Sequence, residues 1–67
     1  MFSTSEKIKA LRQRQSLTQG DIATELGMTR PTYASRESGE SSWRIDELNQ
    51  LASFFGVQLA DLIGVEK

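Results

Sequence analysis

Cysteine and histidine are both missing from these 67 residues. Without cysteine no disulfide can staple so short a chain. Without either residue, the usual zinc sites and every histidine-based catalytic arrangement are excluded. An enzyme would need unusual chemistry, so none is expected, and the sequence implies no catalytic, metal, cofactor or small-molecule site. No apolar run approaches the roughly eighteen residues of a membrane helix, and no charged-then-apolar leader opens the chain. A soluble cytoplasmic protein with no membrane partner is expected. At this length, near the lower limit for folding without staples, residues 1–67 are expected to form one domain, with helices in local contact as the most accessible core.

What is present is concentrated in residues 17–39, LTQGDIATELGMTRPTYASRESG. Thr18 is a helix cap with Asp21 three residues on as its capping-box partner, and Leu17 and Ile22 have the spacing of a hydrophobic staple. Gly27 ends this helix, predicted over 19–26 with Ile22, Ala23 and Leu26 inward, because a left-handed exit is least strained without a Cβ. Thr29 caps a second helix, predicted over 30–38. Its first turn tolerates Pro31, whose missing N–H would have no intrahelical acceptor there. Met28 and Tyr33 repeat the staple spacing, and Gly39 is the stop.

Helix, short glycine turn and helix form the helix-turn-helix plan. The segment resembles that of the phage Cro and repressor (XRE-type) family: Gln19 opens the first helix, Ala23 is small at the crossing, Ile22, Leu26 and Tyr33 are apolar, Gly27 is in the turn, and Glu37-Ser38-Gly39 closes the second helix. Residues 5–16 resemble the family's first helix and residues 45–63 its closing pair. The resemblance implies an all-α, compact five-helix lambda-repressor-like DNA-binding domain with its helix-turn-helix over 18–38. It further implies a sequence-specific transcriptional regulator, a Cro-like repressor that binds a palindromic double-stranded DNA operator as a homodimer.

By this resemblance the helix over 30–38 is the recognition helix. Arg30, Pro31, Thr32, Ala34 and Ser35 are the candidate base contacts, with Arg30 able to bond guanine bidentately and the others short polar or apolar groups. Candidate phosphate contacts are Thr18, Gln19 and Gly20 at the first helix start, Thr29 at the second, and Ser41, Ser42, Trp43 and Arg44 in the following loop. Gly20 weakens its helix by up to about 1 kcal/mol relative to alanine, and close backbone approach to a phosphate would account for it. The family also pairs an arginine of the first helix with the glutamate near the end of the recognition helix, here Arg12 with Glu37. Arg36 departs from the family, which places an apolar residue there. Either its stem packs and its head reaches an acid such as Glu40 or Asp46, or it points outward to phosphate.

The remaining elements follow from caps and periodicity. The first helix starts from Ser3 or Ser5 and runs to about 15, with a narrow stripe of Ile8, Ala10 and Leu11, and Lys7 and Lys9 on a solvated face. The fourth starts at 44 or 45 and ends at 55, with Ile45, Leu48, Leu51, Ala52 and Phe55 on one apolar face and Gly56 as its stop. The fifth spans 59–63, with Leu59, Leu62 and Ile63 joining Val57 to close the core, and 64–67 is a frayed tail. Trp43 has three readings, as a lid on the core, a phosphate contact or a dimer contact. Phe54 lies off the apolar face.

A net charge of −1 argues against a nucleic-acid partner until its distribution is considered. Residues 1–36 carry six basic and three acidic side chains, whereas residues 37–67 carry two basic and six acidic. The positive half holds the first three helices. Charges beyond about 8 Å are largely screened at physiological salt, so the acidic half permits close-range binding. A protein-interaction module, such as an antitoxin with the same fold, is the alternative. Its contact face would use the acidic half with Phe54 and Trp43.

Overall fold

In the computed structural model, which describes residues 3–63, the chain forms five helices: α1 (Thr4–Arg14), α2 (Gln19–Leu26), α3 (Arg30–Ser38), α4 (Ile45–Phe55) and α5 (Leu59–Ile63). The tail expected over 64–67 lies outside the described residues. Capping chemistry sets the starts. Ser3, not Ser5, caps α1: its Oγ accepts the Glu6 N–H at 3.1 Å, and the Glu6 carboxylate accepts the Ser3 N–H at 2.9 Å. Thr18 and Asp21 form the same reciprocal pair at α2, with bonds of 3.0 and 2.8 Å. Thr29 Oγ1 accepts the Thr32 N–H at α3.

The helix ends share one device. After α2, α3 and α4 the chain turns through Gly27, Gly39 and Gly56 with φ of 70°, 91° and 72°. The following N–H then reaches back to a carbonyl five residues earlier, Met28 to Ala23, Glu40 to Ser35 and Val57 to Ala52, each at 2.9 Å. The exit from α1 has the same bonds, Leu17 N–H to the Arg12 carbonyl at 3.1 Å and Ser16 N–H to that of Gln13 at 3.0 Å. Here the left-handed residue is Ser16, at φ 59°.

The core draws on every helix: Ile8 from α1, Ile22 and Ala23 from α2, Tyr33 from α3, Leu48, Leu51, Ala52 and Phe55 from α4, and Leu62 from α5. Leu11, Leu17, Leu26, Met28, Trp43, Val57 and Leu59 pack around it, partly buried. Ala10, placed on the apolar stripe of α1, is exposed, and two residues assigned to the core at helix termini are outside it. Ile45 is 59% exposed and Ile63 39%. Each is the terminal residue of its helix, where the apolar stripe has run past the edge of the core. Phe54, 40% exposed, meets Phe55 edge-to-face with centroids 5.3 Å apart. No helix among the described residues is long and apolar enough to cross a membrane.

Candidate nucleic-acid interface

The amino ends of α2 and α3 carry the predicted contacts. At α2 the Thr18–Asp21 box satisfies the N–H groups of Thr18 and Asp21, and the Thr18 bond holds the Asp21 carboxyl below its ordinary pKa. The backbone N–H groups of Gln19 and Gly20 accordingly have no acceptor among the described residues. Two open donors at a helix start form an anion cradle. A Cβ at Gly20 would meet only Thr18 Oγ1, at 3.7 Å, so nothing inside the fold requires glycine there.

At α3, Arg30 and Pro31 are exposed and Thr32, Ala34 and Ser35 are half-buried. Arg30 has no ion-pair partner among the described residues. The Thr29 hydroxyl donates to Thr32 Oγ1 at 2.9 Å, and Ser35 Oγ donates to the Glu40 carboxylate at 3.2 Å.

Behind this edge, α3 is fixed by two bidentate ion pairs. Arg12 Nε and Nη2 donate to Glu37 Oε2 and Oε1 at 2.7 and 3.0 Å, and Arg12 Nη1 donates to the Leu17 carbonyl at 2.8 Å. The same carboxylate accepts from Tyr33 OH at 2.6 Å and Gln19 Nε2 at 2.9 Å. Burial pushes the Glu37 carboxyl upward, but bonds from Arg12, Tyr33 and Gln19 outweigh it and hold the group below the usual carboxylate range. Burial, with the bond to Glu37, raises the Tyr33 phenol. Removing one partner would leave a buried charge unpaired, a loss of about 3–5 kcal/mol.

The second pair joins α3 to α4. Arg36 Nε and Nη2 donate to Glu47 Oε1 and Oε2 at 2.8 and 3.0 Å, and Glu47 Oε1 also accepts the Arg44 N–H at 2.9 Å. Burial raises the Glu47 carboxyl, and these bonds more than reverse the shift. Arg36 thus reaches an acid, as expected, but that acid is Glu47 and neither Glu40 nor Asp46, and its head does not face outward to phosphate. Glu40 takes the Ser35 hydroxyl, and Asp46 pairs at the surface with Arg44 at 3.3 Å. α4 starts beside the end of α3, which brings Glu47 to an arginine eleven residues earlier.

The loop following α3 is held from the other side. Trp43 packs edge-to-face on Tyr33, with centroids 5.9 Å apart, and its indole N–H donates to Ser5 Oγ at 3.0 Å. Ser5 Oγ in turn donates to the Arg36 carbonyl at 2.7 Å. Of the three readings of Trp43, this geometry is that of a lid. The only donor of its side chain is engaged within the chain and is not offered to a phosphate. Ser41 is half-buried, whereas Ser42 and Arg44 are exposed. The Gln19–Glu37 and Ser5–Trp43 bonds have no local pattern in the sequence to signal them.

Residues 8–62 match the helix-turn-helix family. The chain belongs to that family. Among curated helix-turn-helix relatives, it is 36% identical over 63 residues to the cryptic phage CTXphi transcriptional repressor RstR of Vibrio cholerae. That match covers 94% of this chain and 55% of the repressor. It is also 36% identical over 56 residues to an uncharacterised HTH-type transcriptional regulator of Methanocaldococcus jannaschii, covering 84% of this chain and 85% of that protein. A transcriptional regulator from Listeria innocua superposes with a TM-score of 0.91 at 28% identity, over 97% of this chain and 61% of that one. The chain thus spans about half the length of the Vibrio repressor it matches.

Proposed function

We propose that residues 1–67 form one helix-turn-helix DNA-binding domain that acts as a cytoplasmic, sequence-specific transcriptional regulator, a Cro-like repressor bound as a homodimer to a palindromic operator. The observation that carries this reading is the sorting of the arginines around the motif. Arg12 and Arg36 are committed to Glu37 and Glu47. Arg30, at the exposed first position of α3, has no such partner among the described residues. An unpaired guanidinium at the amino end of a recognition helix is suited to guanine O6 and N7 in the major groove, with Pro31, Thr32, Ala34 and Ser35 as shorter neighbours.

The open N–H groups of Gln19 and Gly20, with Thr18, Thr29, Ser41, Ser42 and Arg44, would take the phosphates. One short helix reads few base pairs, so a symmetric dimer on two half-sites about one helical turn apart supplies the rest. Repression follows from occupying a promoter. Selection of binding sites from random duplexes, with stoichiometry measured on the winning sequence, tests the proposal. A palindromic consensus bound by two copies is expected, and no enrichment of any sequence overturns it.

A second reading, a protein-interaction module such as an antitoxin, is favoured by the exposed Ile45, Phe54 and Ile63. Trp43 is half-buried against Tyr33. An Ile45→Ser, Phe54→Ser double variant that keeps its Tm and its operator affinity while losing a protein partner would favour this reading.

A further inference from the structure

We infer that Glu37 is a positioning residue for the DNA backbone, because its carboxylate fixes the Gln19 side-chain amide at the amino end of α2 through one Nε2 hydrogen and leaves the other uncommitted. This rests on the DNA-binding reading above and goes beyond the structural pairing of Glu37 with Arg12. An ionised carboxylate only accepts hydrogen bonds. A glutamine beside it therefore has one workable orientation, with the NH2 group inward, because the flipped amide would set its carbonyl oxygen against Oε1.

Glu37 Oε1 takes one Nε2 hydrogen of Gln19 at 2.9 Å, and Arg12 and Tyr33 hold the carboxylate itself in place. The second Nε2 hydrogen has no acceptor among the described residues. It belongs to the same residue whose backbone N–H is open, next to the open N–H of Gly20. Gln19 thus contributes a donor from its side chain and one from its backbone at a single helix start. A long, rotamer-rich side chain held this way loses little freedom when a phosphate arrives. The chain from Arg12 through Glu37 to Gln19 makes this contact depend on α1 as well as on the helix-turn-helix.

A double-mutant cycle on short random-sequence duplexes at low salt tests this, since a phosphate contact is independent of sequence. Gln19→Ala is expected to weaken binding about tenfold on every duplex, the scale of one hydrogen bond to a charged group. Glu37→Gln, compared as folded protein, is expected to cost a similar factor. The double variant is expected to bind no more weakly than either single one. Costs that multiply in the double variant would overturn the positioning role.

A second readout uses the unmodified chain and is independent of whether Glu37→Gln folds. In side-chain amide NMR, one Gln19 Nε2 proton is expected well away from the ordinary glutamine position before DNA is added, and the other is expected to move as duplex is titrated in. Two ordinary, unmoving protons in a chain that binds the duplex would overturn the positioning role alone. A chain that retains no duplex at low salt would remove the DNA-binding reading with it.

Discussion

Ser16 occupies a conformation that three glycines take at the other helix exits. At φ 59° its Cβ is in a region that costs an L-residue about 1–2 kcal/mol. The side chain is exposed, so little else is lost on removing it. Ser16→Gly is expected to stabilise the fold by about 0.5–1 kcal/mol, after allowing for the greater flexibility of unfolded glycine. Tm should rise by several degrees in a thermal melt, because about 1 kcal/mol moves a domain of this size by roughly 4–8 °C. Arg30 is the functional counterpart at this scale. Arg30→Ala is expected to weaken operator binding by about 1–3 kcal/mol and to relax preference at one guanine. Affinities measured on a panel of single-base variants check this, and an equal loss on every sequence would make Arg30 a phosphate contact. Residue type alone does not separate Arg30 from Arg36. They differ because α4 delivers Glu47 to Arg36, and that encounter is a matter of packing.

The helices were legible because their ends are made by neighbours in the chain. A cap and its partner lie three residues apart, and a left-handed stop needs only glycine, so α2, α3, α4 and α5 fall on their predicted boundaries and α1 ends one residue early, at Arg14. Periodicity is less informative because it assigns a face without giving its depth, and so it assigns the exposed Ile45 and Ile63 to the core. The resemblance pointed to the Arg12–Glu37 pair. The Arg36–Glu47 pair, the Gln19 bond and the seat of Trp43 join residues 11, 18 and 38 positions apart, out of reach of local pattern. For α2, Gly20→Ala is expected to raise stability by up to about 1 kcal/mol, since the new methyl group fits. The same change should weaken duplex binding if phosphate approaches the backbone there. Melts and binding curves run on one preparation separate the two effects. For α3, both anchoring carboxylates lie below their ordinary pKa. The folded state therefore holds these protons less tightly than the unfolded chain. Their stabilisation is complete above the unfolded carboxylate pKa of about 4.3, and falls away as pH drops through the lower folded values. Urea midpoints are expected to decline below about pH 4, with a shallower decline for Glu37→Gln. Equal slopes for the two proteins would show that Glu37 does not drive the acid limb.

Over the whole molecule, charge is divided between a basic first half and an acidic second half. The proposed interface lies mainly on the basic side, but Glu40 places a carboxylate at the carboxyl end of α3, within reach of Ser35. Opposite a phosphate backbone its charge would lower affinity for all DNA alike and leave the preference set by Arg30 unchanged. Glu40→Gln keeps an acceptor for Ser35 and removes the charge. It is expected to raise affinity several-fold on operator and random duplex equally, with the gain shrinking as salt is added. A gain confined to one sequence would instead make Glu40 a base contact.

Trp43 is the sole indole of the chain. It is seated where α1, α3 and the loop meet, hydrogen-bonded to Ser5 and set edge-on against Tyr33. The protein therefore has a built-in optical reporter at the joint behind the recognition helix. Its emission is expected to follow whether α3 is seated or released, without a label and without a change to the proposed DNA contacts.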